Sequence, residues 1–511
     1  MHFPSVLFQN SDDRIRADQA VPPGFFGDLN LDQLVEAITA SKQTYNLRPF
    51  YYTPLKDIDA IDYRHEVLKD LEDKDALQHI VRFAQGMRAM HQHIDQSGKL
   101  HYRHQKQTWF LEAVAIYCEA VSCLADEFST ADLESRALSG FSEYLINYSK
   151  SSPFVSLRSE TQNLKADLST IEYCVQIDGG TFKVRKYESE TDYSLEIEET
   201  FKKFRQGAAN DHRIKFSEWV QMNHVEAKID EFVALLFPEI FARLDSYWAH
   251  HTEYLDETIA TFDREVQFYV AYLEYTRPLK QVGLKFCYPR VSSTSKDVSN
   301  YEGFDLVLAS KLLGQDKPVI SNDFFLEDGE RVFVVSGPNQ GGKTTFCRTF
   351  GQLHYLASIG CFVPGGTARL LLCDNLFTHF EREEQMHNLR GKLQDDLVRV
   401  RQILDAATAN SIIILNEIFT STTLRDATFL SEKLMERISE LGCLCVWVTF
   451  IEELASFDGH VVSMTSTVVA QDPTRRTFKV IRRPADGLSY ALSIAQKYQL
   501  TYQQLKDSIG S

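Results

Sequence analysis

The apolar positions of this 511-residue chain show two textures, and the change between them lies near residue 330. Over the first 300 residues the spacing is mostly helical. Between Pro238 and Pro278, the residues Trp248, Leu255, Ile259, Phe262, Val266, Tyr269 and Leu273 recur three, four or seven apart. That interval marks one seam of a long amphipathic helix. Phe216, Val220, Val225, Ile229, Phe232 and Leu236 make a similar stripe before Pro238. Two such helices joined at a proline predict an antiparallel arm, although an ordinary helical bundle shows the same seam. One island differs: residues 171–177 run into Asp178-Gly179-Gly180 and then 181–184. A glycine turn between β-branched and aromatic residues predicts a hairpin near 171–185. A polar, acidic stretch follows over 188–199.

Beyond residue 330, short apolar runs alternate with helical patterns. Residues 331–335 precede a glycine-rich loop and a helix through Tyr355; 411–415 precede a helix over 426–441; 444–449 form a further run. Strands alternating with helices predict a largely parallel sheet covered by helices, an α/β domain.

The loop carries the chemistry. Gly337-Pro338-Asn339-Gln340-Gly341-Gly342-Lys343-Thr344 directly follows the apolar run and opens the next helix. This is the context of a phosphate-binding P-loop. Its glycines allow backbone to approach phosphates, its amides and the helix N-terminus attract them, Lys343 reaches the β- and γ-phosphates, and the Thr344 hydroxyl binds Mg²⁺. ATP and Mg²⁺ are therefore the expected ligands, held by residues 337–345 including Thr345. The second run ends in Asn416-Glu417. A strand ending in polar residues is where a P-loop ATPase places its magnesium partner, here Asn416, and its water-activating carboxylate, here Glu417. The expected activity is ATP hydrolysis with Glu417 and Lys343 as catalytic residues.

Composition narrows the picture. A chain of this length exceeds one hydrophobic core and predicts two to four domains. Its 44% hydrophobic and 24% charged content is ordinary for a folded soluble protein. No secretory signal starts it and no uninterrupted apolar run spans a membrane, so a cytoplasmic location and no membrane partner are expected. Nine scattered cysteines read as reduced, and Cys443 and Cys445 as small core residues. The net charge of -17 means that any DNA contact is local, because phosphate contacts dominate DNA affinity. His91, His93, His101, His104, His250 and His251 lack the partners of a metal site and read as a solvated helix face. Arg475, Arg476, Lys479, Arg482 and Arg483 alternate with apolar residues as an edge strand would; they read as a solvated face or a DNA or partner contact.

These residues resemble the MutS family of DNA mismatch repair and recombination ATPases. Residues 336–345 resemble the family's T-G-P-N-M-G-G-K-S-T loop, Ile359-Gly360-Cys361-Phe362-Val363-Pro364 its I-G-x-x-V-P, and Asp374-Asn375-Leu376-Phe377-Thr378 its D-x-I-F-T. Residues 404–415 resemble the run into the carboxylate, Thr422, Thr423 and Asp426 its T-S-T-x-D-G loop, and Gly487-Leu488-Ser489-Tyr490-Ala491 its tail ending in S-Y-G. More loosely, Pro54, Leu55, Ile61, Arg64, Val67 and Leu71 resemble its core domain, 237–278 its lever, and 287–291 the strand leading into its ATPase domain. A transporter or SMC-type ATPase fits less well, for no L-S-G-G-Q-like signature occurs.

The resemblance implies an N-terminal helical extension (1–50), a mostly α-helical core/lever domain with the hairpin insert (51–285) and a P-loop ATPase domain with an ABC/MutS-like parallel-rich sheet (286–511). It implies a short form without mismatch-reading and connector domains, in which the hairpin is a reduced DNA clamp. Phe-x-Glu triplets at Phe141-Ser142-Glu143 and Phe216-Ser217-Glu218 read as chance occurrences. A homodimer is implied, with Gly391, Thr422 and Thr423 facing the partner's nucleotide, together with DNA-backbone binding and repair-protein partners. Three departures bear on turnover: Asn416 replaces Asp, Gly391-Lys392-Leu393 stands where the family has Ser-Thr-Phe, and Phe450 stands where it has His. The expected function is a slow ATPase acting as a nucleotide-switched DNA clamp; the alternative is an ATP-switched protein scaffold that does not bind DNA.

Overall fold

A computed structural model describes residues 3, 5–189, 222–381, 391–469, 471–484, 501, 502 and 506. The expected stripe positions Phe216 and Val220, most of the acidic stretch, the second Phe-x-Glu triplet and the tail motif 487–491 lie outside the described residues. The chain divides into two compact units, one made of Met1–Phe3, Asp73–Leu133 and Ser139–Asp263, the other of Pro4–Glu72, Glu134–Leu138 and Arg264–Ser511.

The first unit is helical with one hairpin. Asp73 caps the helix Lys74–Lys99 by accepting from the amides of Asp75 and Ala76, and Ile80, Phe83, Met87 and Met90 form its buried stripe. It packs on the helix Arg103–Phe128 so closely that a Cβ at Gly86 would lie 2.9 Å from that of Ala120. Arg103–Phe128 is long and apolar enough to cross a bilayer, although charged and polar residues interrupt its apolar run; half of its most apolar window is buried in the fold. Phe141 is fully buried, its ring stacked on Phe262 with centroids 3.6 Å apart. The hairpin pairs β1 (Tyr173–Asp178) with β2 (Thr181–Lys186). Gly179 and Gly180 turn it with φ of 50° and 92°, as a two-residue turn with both positions left-handed requires. Phe182 meets Phe232, and Lys186 lies over the Phe237 ring.

Three expectations for this half are corrected. The seam through Trp248 is not one helix: Pro238–His250 and Glu257–Gln281 are separate. Asp256 starts the second by accepting from the Ile259 amide, while its own amide donates to the Tyr117 hydroxyl. A local cap and a tertiary bond outweigh the continuous periodicity. In His224–Leu236 the stripe positions Val225 and Phe232 are exposed, and Ala227 and Val233 are buried instead. The histidines are not uniformly solvated either. His104 lies 2.7 Å from Asp230 and His251 lies 2.9 Å from Glu160.

The second unit is built on a mixed sheet. Its strands are β3 (Phe286–Cys287), β4 (Arg290–Ser292), β5 (Val298–Gly303), β6 (Asn322–Leu326), β7 (Val332–Ser336), β8 (Val363–Pro364), β9 (Thr367–Leu371), β10 (Leu376–Phe380), β11 (Ile412–Asn416), β12 (Leu444–Val448), β13 (Val461–Val469) and β14 (Asp472–Arg482). Six of them run in the order β10-β11-β12-β7-β13-β14. The first five are parallel, and β14 closes the edge antiparallel to β13. β7, β11 and β12 are buried at every position, which is why each reads as an unbroken apolar run. A second sheet has the order β4-β9-β5-β6. The helix Lys343–Ser358 packs on both: Phe346 and Phe350 meet Phe333 of β7 and Phe324 of β6.

The N-terminal residues of this unit cover the same helix. Tyr51 donates to the Phe268 carbonyl, Tyr269 to that of Val6, Tyr272 to that of Phe362 and Tyr355 to that of Tyr51. Arg64 is wholly buried, donating to the carbonyls of Leu7 at 3.1 Å and Ile359 at 2.8 Å, with its guanidinium over the rings of Phe8 and Phe268. Arg64→Met keeps much of the volume but orphans two buried carbonyls, at about 1–3 kcal/mol each. Urea denaturation should show a loss of about 3 kcal/mol; a loss within experimental error would show the guanidinium to be dispensable.

Candidate nucleotide-binding site

The loop leaves the end of β7 and returns into the helix at Lys343 through left-handed backbone at Gly337 (φ 112°), Gln340 (φ 60°) and Gly342 (φ 94°). Two glycines also answer to space. A Cβ on Gly337 or on Gly341 would lie 2.6 or 2.5 Å from the Ser466 hydroxyl of β13. Ser466 is fully buried and its hydroxyl has no partner among the described residues. The loop is pressed against the neighbouring strand and only glycine fits there. Sequence reasoning missed Ser466; a small residue in an apolar strand carries no local signal.

Lys343 is almost completely buried. Its Nζ donates to the carbonyls of Gly337 (3.0 Å) and Pro338 (3.3 Å) and to Asn339 Oδ1 (3.2 Å), and it lies 3.6 Å from Glu417 Oε1. Burial pulls its pKa below the usual lysine value, and the Glu417 carboxylate opposes that shift. The lysine thus rests on the loop's own oxygens, where an incoming phosphate would compete for it. The Thr344 hydroxyl donates to Asn416 Oδ1 at 3.0 Å. So Lys343, Thr344, Asn416 and Glu417, drawn from two separate strand ends, meet at one point.

Glu417 stands in the left-handed region at φ 53°, and Phe419 follows at φ 61°. Such backbone is uncommon for these residues and stores strain. Register holds it: the Glu417 amide donates to the Val448 carbonyl at 2.9 Å. Its side chain is one-third exposed and lies 3.6 Å from Lys343.

Among the described residues, no group of three or more His, Cys, Asp or Glu side chains could hold a metal ion. Magnesium on a nucleotide needs no such group, since phosphates and water supply most of its octahedron. The Thr344 hydroxyl and the Asn416 amide oxygen are adjacent hard oxygen donors and fit it.

The remaining expected residues lie at helix starts. Gly391 precedes the helix Lys392–Ala406, with nothing within 4 Å of an added Cβ. Thr423 caps Leu424–Leu441 by accepting from the Asp426 amide, and both Thr422 and Thr423 donate to the Asp426 carboxylate. Glu381, unnoticed in the sequence, joins the two regions: it accepts from Lys392 Nζ at 2.5 Å and from the Thr420 hydroxyl at 2.9 Å. Lys392 first, and then Thr420, hold its carboxyl below the usual range against the effect of burial. Phe450 is half exposed. Of the basic run, now on β14, Arg476 donates to the Asn339 carbonyl of the loop, Lys479 to the Ser321 carbonyl, and Arg482 pairs with Glu330. Part of that run therefore braces the loop and its own sheet.

A strand, a glycine loop closing on a buried lysine, and a carboxylate at a parallel strand end define a P-loop nucleotide-binding domain. Comparison with known proteins gives the particular kind: residues 333–508 match the family model of MutS domain V, and through this ATPase domain the chain is related to the MutS family. The DNA mismatch repair protein MutS of Chlorobaculum tepidum is 28% identical over 215 residues, 41% of this chain and 24% of that protein. That of Orientia tsutsugamushi is 27% identical over 216 residues, again 41% and 24%, and that of Thermosipho melanesiensis 26% over 181 residues, 35% and 22%. The chain thus spans about a quarter of the length of the curated relatives it matches.

Gly341→Ala places a methyl group 2.5 Å from Ser466 Oγ and 2.8 Å from the Pro338 carbonyl. It should weaken binding of a fluorescent ATP analogue at least about tenfold, 1.4 kcal/mol, with the helical circular dichroism unchanged. Undiminished affinity would mean that the loop does not hold the nucleotide.

Proposed function

We propose that this chain is an ATP-binding, slowly hydrolysing MutS-type protein. It dimerises through its ATPase domains and acts as a nucleotide-switched clamp on DNA backbone, in repair or recombination, without distinguishing a mismatched from a matched duplex. The observation that carries the reading is the convergence of Lys343, Thr344, Asn416 and Glu417 at the mouth of the loop.

In this reading Lys343 leaves its loop carbonyls for the terminal phosphates. Thr344 and Asn416 hold magnesium, which when bound neutralises phosphate charge. Glu417 orients the attacking water and takes its proton. Three features slow the step. Asn416 adds no negative charge beside the metal. Gly391 offers a partner only its backbone amide, and Phe450 offers no proton or charge. Losing one donor of transition-state stabilisation costs about 10²–10³-fold, and such losses need not add. Binding and dimer closure are then the main events and turnover a slow reset. Glu417→Gln should retain ATP affinity, lose single-turnover hydrolysis and accumulate as an ATP-bound dimer in size-exclusion light scattering. Hydrolysis at the wild-type rate would remove Glu417 from its role, and rapid wild-type turnover would defeat the idea of a weakened site.

DNA contact is proposed through the backbone. Phe141, the aromatic of one Phe-x-Glu triplet, is buried against Phe262 and cannot reach a base. Gel shifts with matched, mismatched and branched duplexes, with and without ATP, should show affinity falling steeply with salt and no preference for the mismatch. A mismatch preference at physiological salt would contradict this. The charge of -17 favours one other reading, an ATP-switched protein scaffold; no shift of any duplex at low salt would establish that one instead.

A further inference from the structure

We propose that Asp28 is a positioning residue which, from the N-terminal segment, fixes the helix Lys392–Ala406 on β10 and so sets where Gly391 stands relative to the P-loop of the same chain. This deepens the nucleotide-site reading and rests on it for its functional meaning, but its geometry stands alone. The Asp28 side chain is largely buried and accepts from the Thr378 hydroxyl of β10 at 2.6 Å and from Arg399 at 3.2 Å. Arg399 lies on Lys392–Ala406 and also donates to the Thr378 carbonyl at 3.0 Å. The Asp28 carbonyl accepts from Arg348 at 2.9 Å, and the next carbonyl, of Leu29, from Gln352 at 2.9 Å. Both donors belong to the helix that begins at Lys343. The Leu29 side chain fills the place of a Cβ on Gly351, which would lie 2.7 Å from it.

One dipeptide thus touches the P-loop helix, the strand beside β11 and the helix that starts after Gly391. The roles within it separate. Leu29 fills space and would suffice as a plug. The Asp28 carboxylate instead supplies charge to Arg399, and a charge-assisted bond away from solvent is the stronger kind. Arg399 lies about two turns from the start of its helix, so holding it fixes the direction in which the helix presents Gly391.

The test uses Asp28→Asn, which keeps an acceptor for Thr378 and removes the charge. In hydrogen exchange of the full chain without nucleotide, protection over 392–406 should fall by about tenfold while that over 343–358 is retained. Arg399→Met should behave likewise, and the double variant should be no worse than either single one. Asp28→Glu should restore part of the protection. In steady-state ATPase assays Asp28→Asn should lower kcat several-fold with KM within about twofold, since the loop itself is untouched. Unchanged exchange over 392–406, or an equal loss over 343–358, would overturn the proposal. If the exchange result holds but the wild type binds no ATP in calorimetry, the nucleotide reading fails and the positioning of the helix by Asp28 remains.

Discussion

Burial of the helix Lys343–Ser358 on every side is the constraint from which the rest of this unit follows. From Phe346 onward nearly every residue of that helix is buried, including Gln352, His354 and Ser358. A helix buried all round needs walls all round. β7 and β6 supply two of them through Phe333 and Phe324, and the N-terminal residues supply a third through Leu29, Tyr51 and Phe26. Its polar groups must also be matched. Gln352 bonds the Leu29 carbonyl and the Leu306 amide, and His354 bonds the Phe350 carbonyl through Nδ1 while its Nε2 has no partner among the described residues; burial pulls that imidazole's pKa down to about 4 and keeps it neutral. The fixed helix then fixes its own N-terminus, where Lys343 and Thr344 stand.

Charge at that N-terminus is sparse. Lys343 is desolvated, and Glu417 at 3.6 Å is the carboxylate beside it. With Asn416 neutral, the Lys343–Glu417 pair is balanced by itself, and Arg476 adds positive charge close enough to act on Lys343. A triphosphate entering would find Lys343, Arg476 bonded to the loop, the loop amides and two neutral oxygen donors.

The sequence made the sheet and the loop legible for a physical reason. β7, β11 and β12 are buried on both faces, so each is an unbroken apolar run, and their predicted limits match to within one or two residues. The loop is legible because its constraint is local: a strand, glycines and a lysine within thirteen residues of chain. The rest depended on distant partners. Ser466 meets Gly341 across 125 positions, Asp28 meets Arg399 across 371, and Arg64 meets Ile359 across 295. No periodicity records such pairs. The break at 251–256 failed to show because its cap partner Tyr117 lies on another helix, and the stripe over Val225 and Phe232 misled because a half-exposed helix keeps its apolar spacing.

The helix Lys392–Ala406 is held to the end of β10 at two points. Lys392 reaches Glu381 just beyond the strand, and Arg399 reaches Thr378 within it. β10 in turn pairs with β11 so that Phe380 lies opposite Asn416, and the Glu381 amide donates to the Asn416 carbonyl. The end of β11 is therefore tied to this helix by one backbone bond to Glu381 and by the side-chain bonds of Lys392 and Arg399. Thr420, two residues past Ile418 in the turn that follows Glu417, closes the circuit by bonding the same Glu381 carboxylate. The residues proposed to sense the chain's own nucleotide and those proposed to meet a partner's are thus one mechanically continuous set.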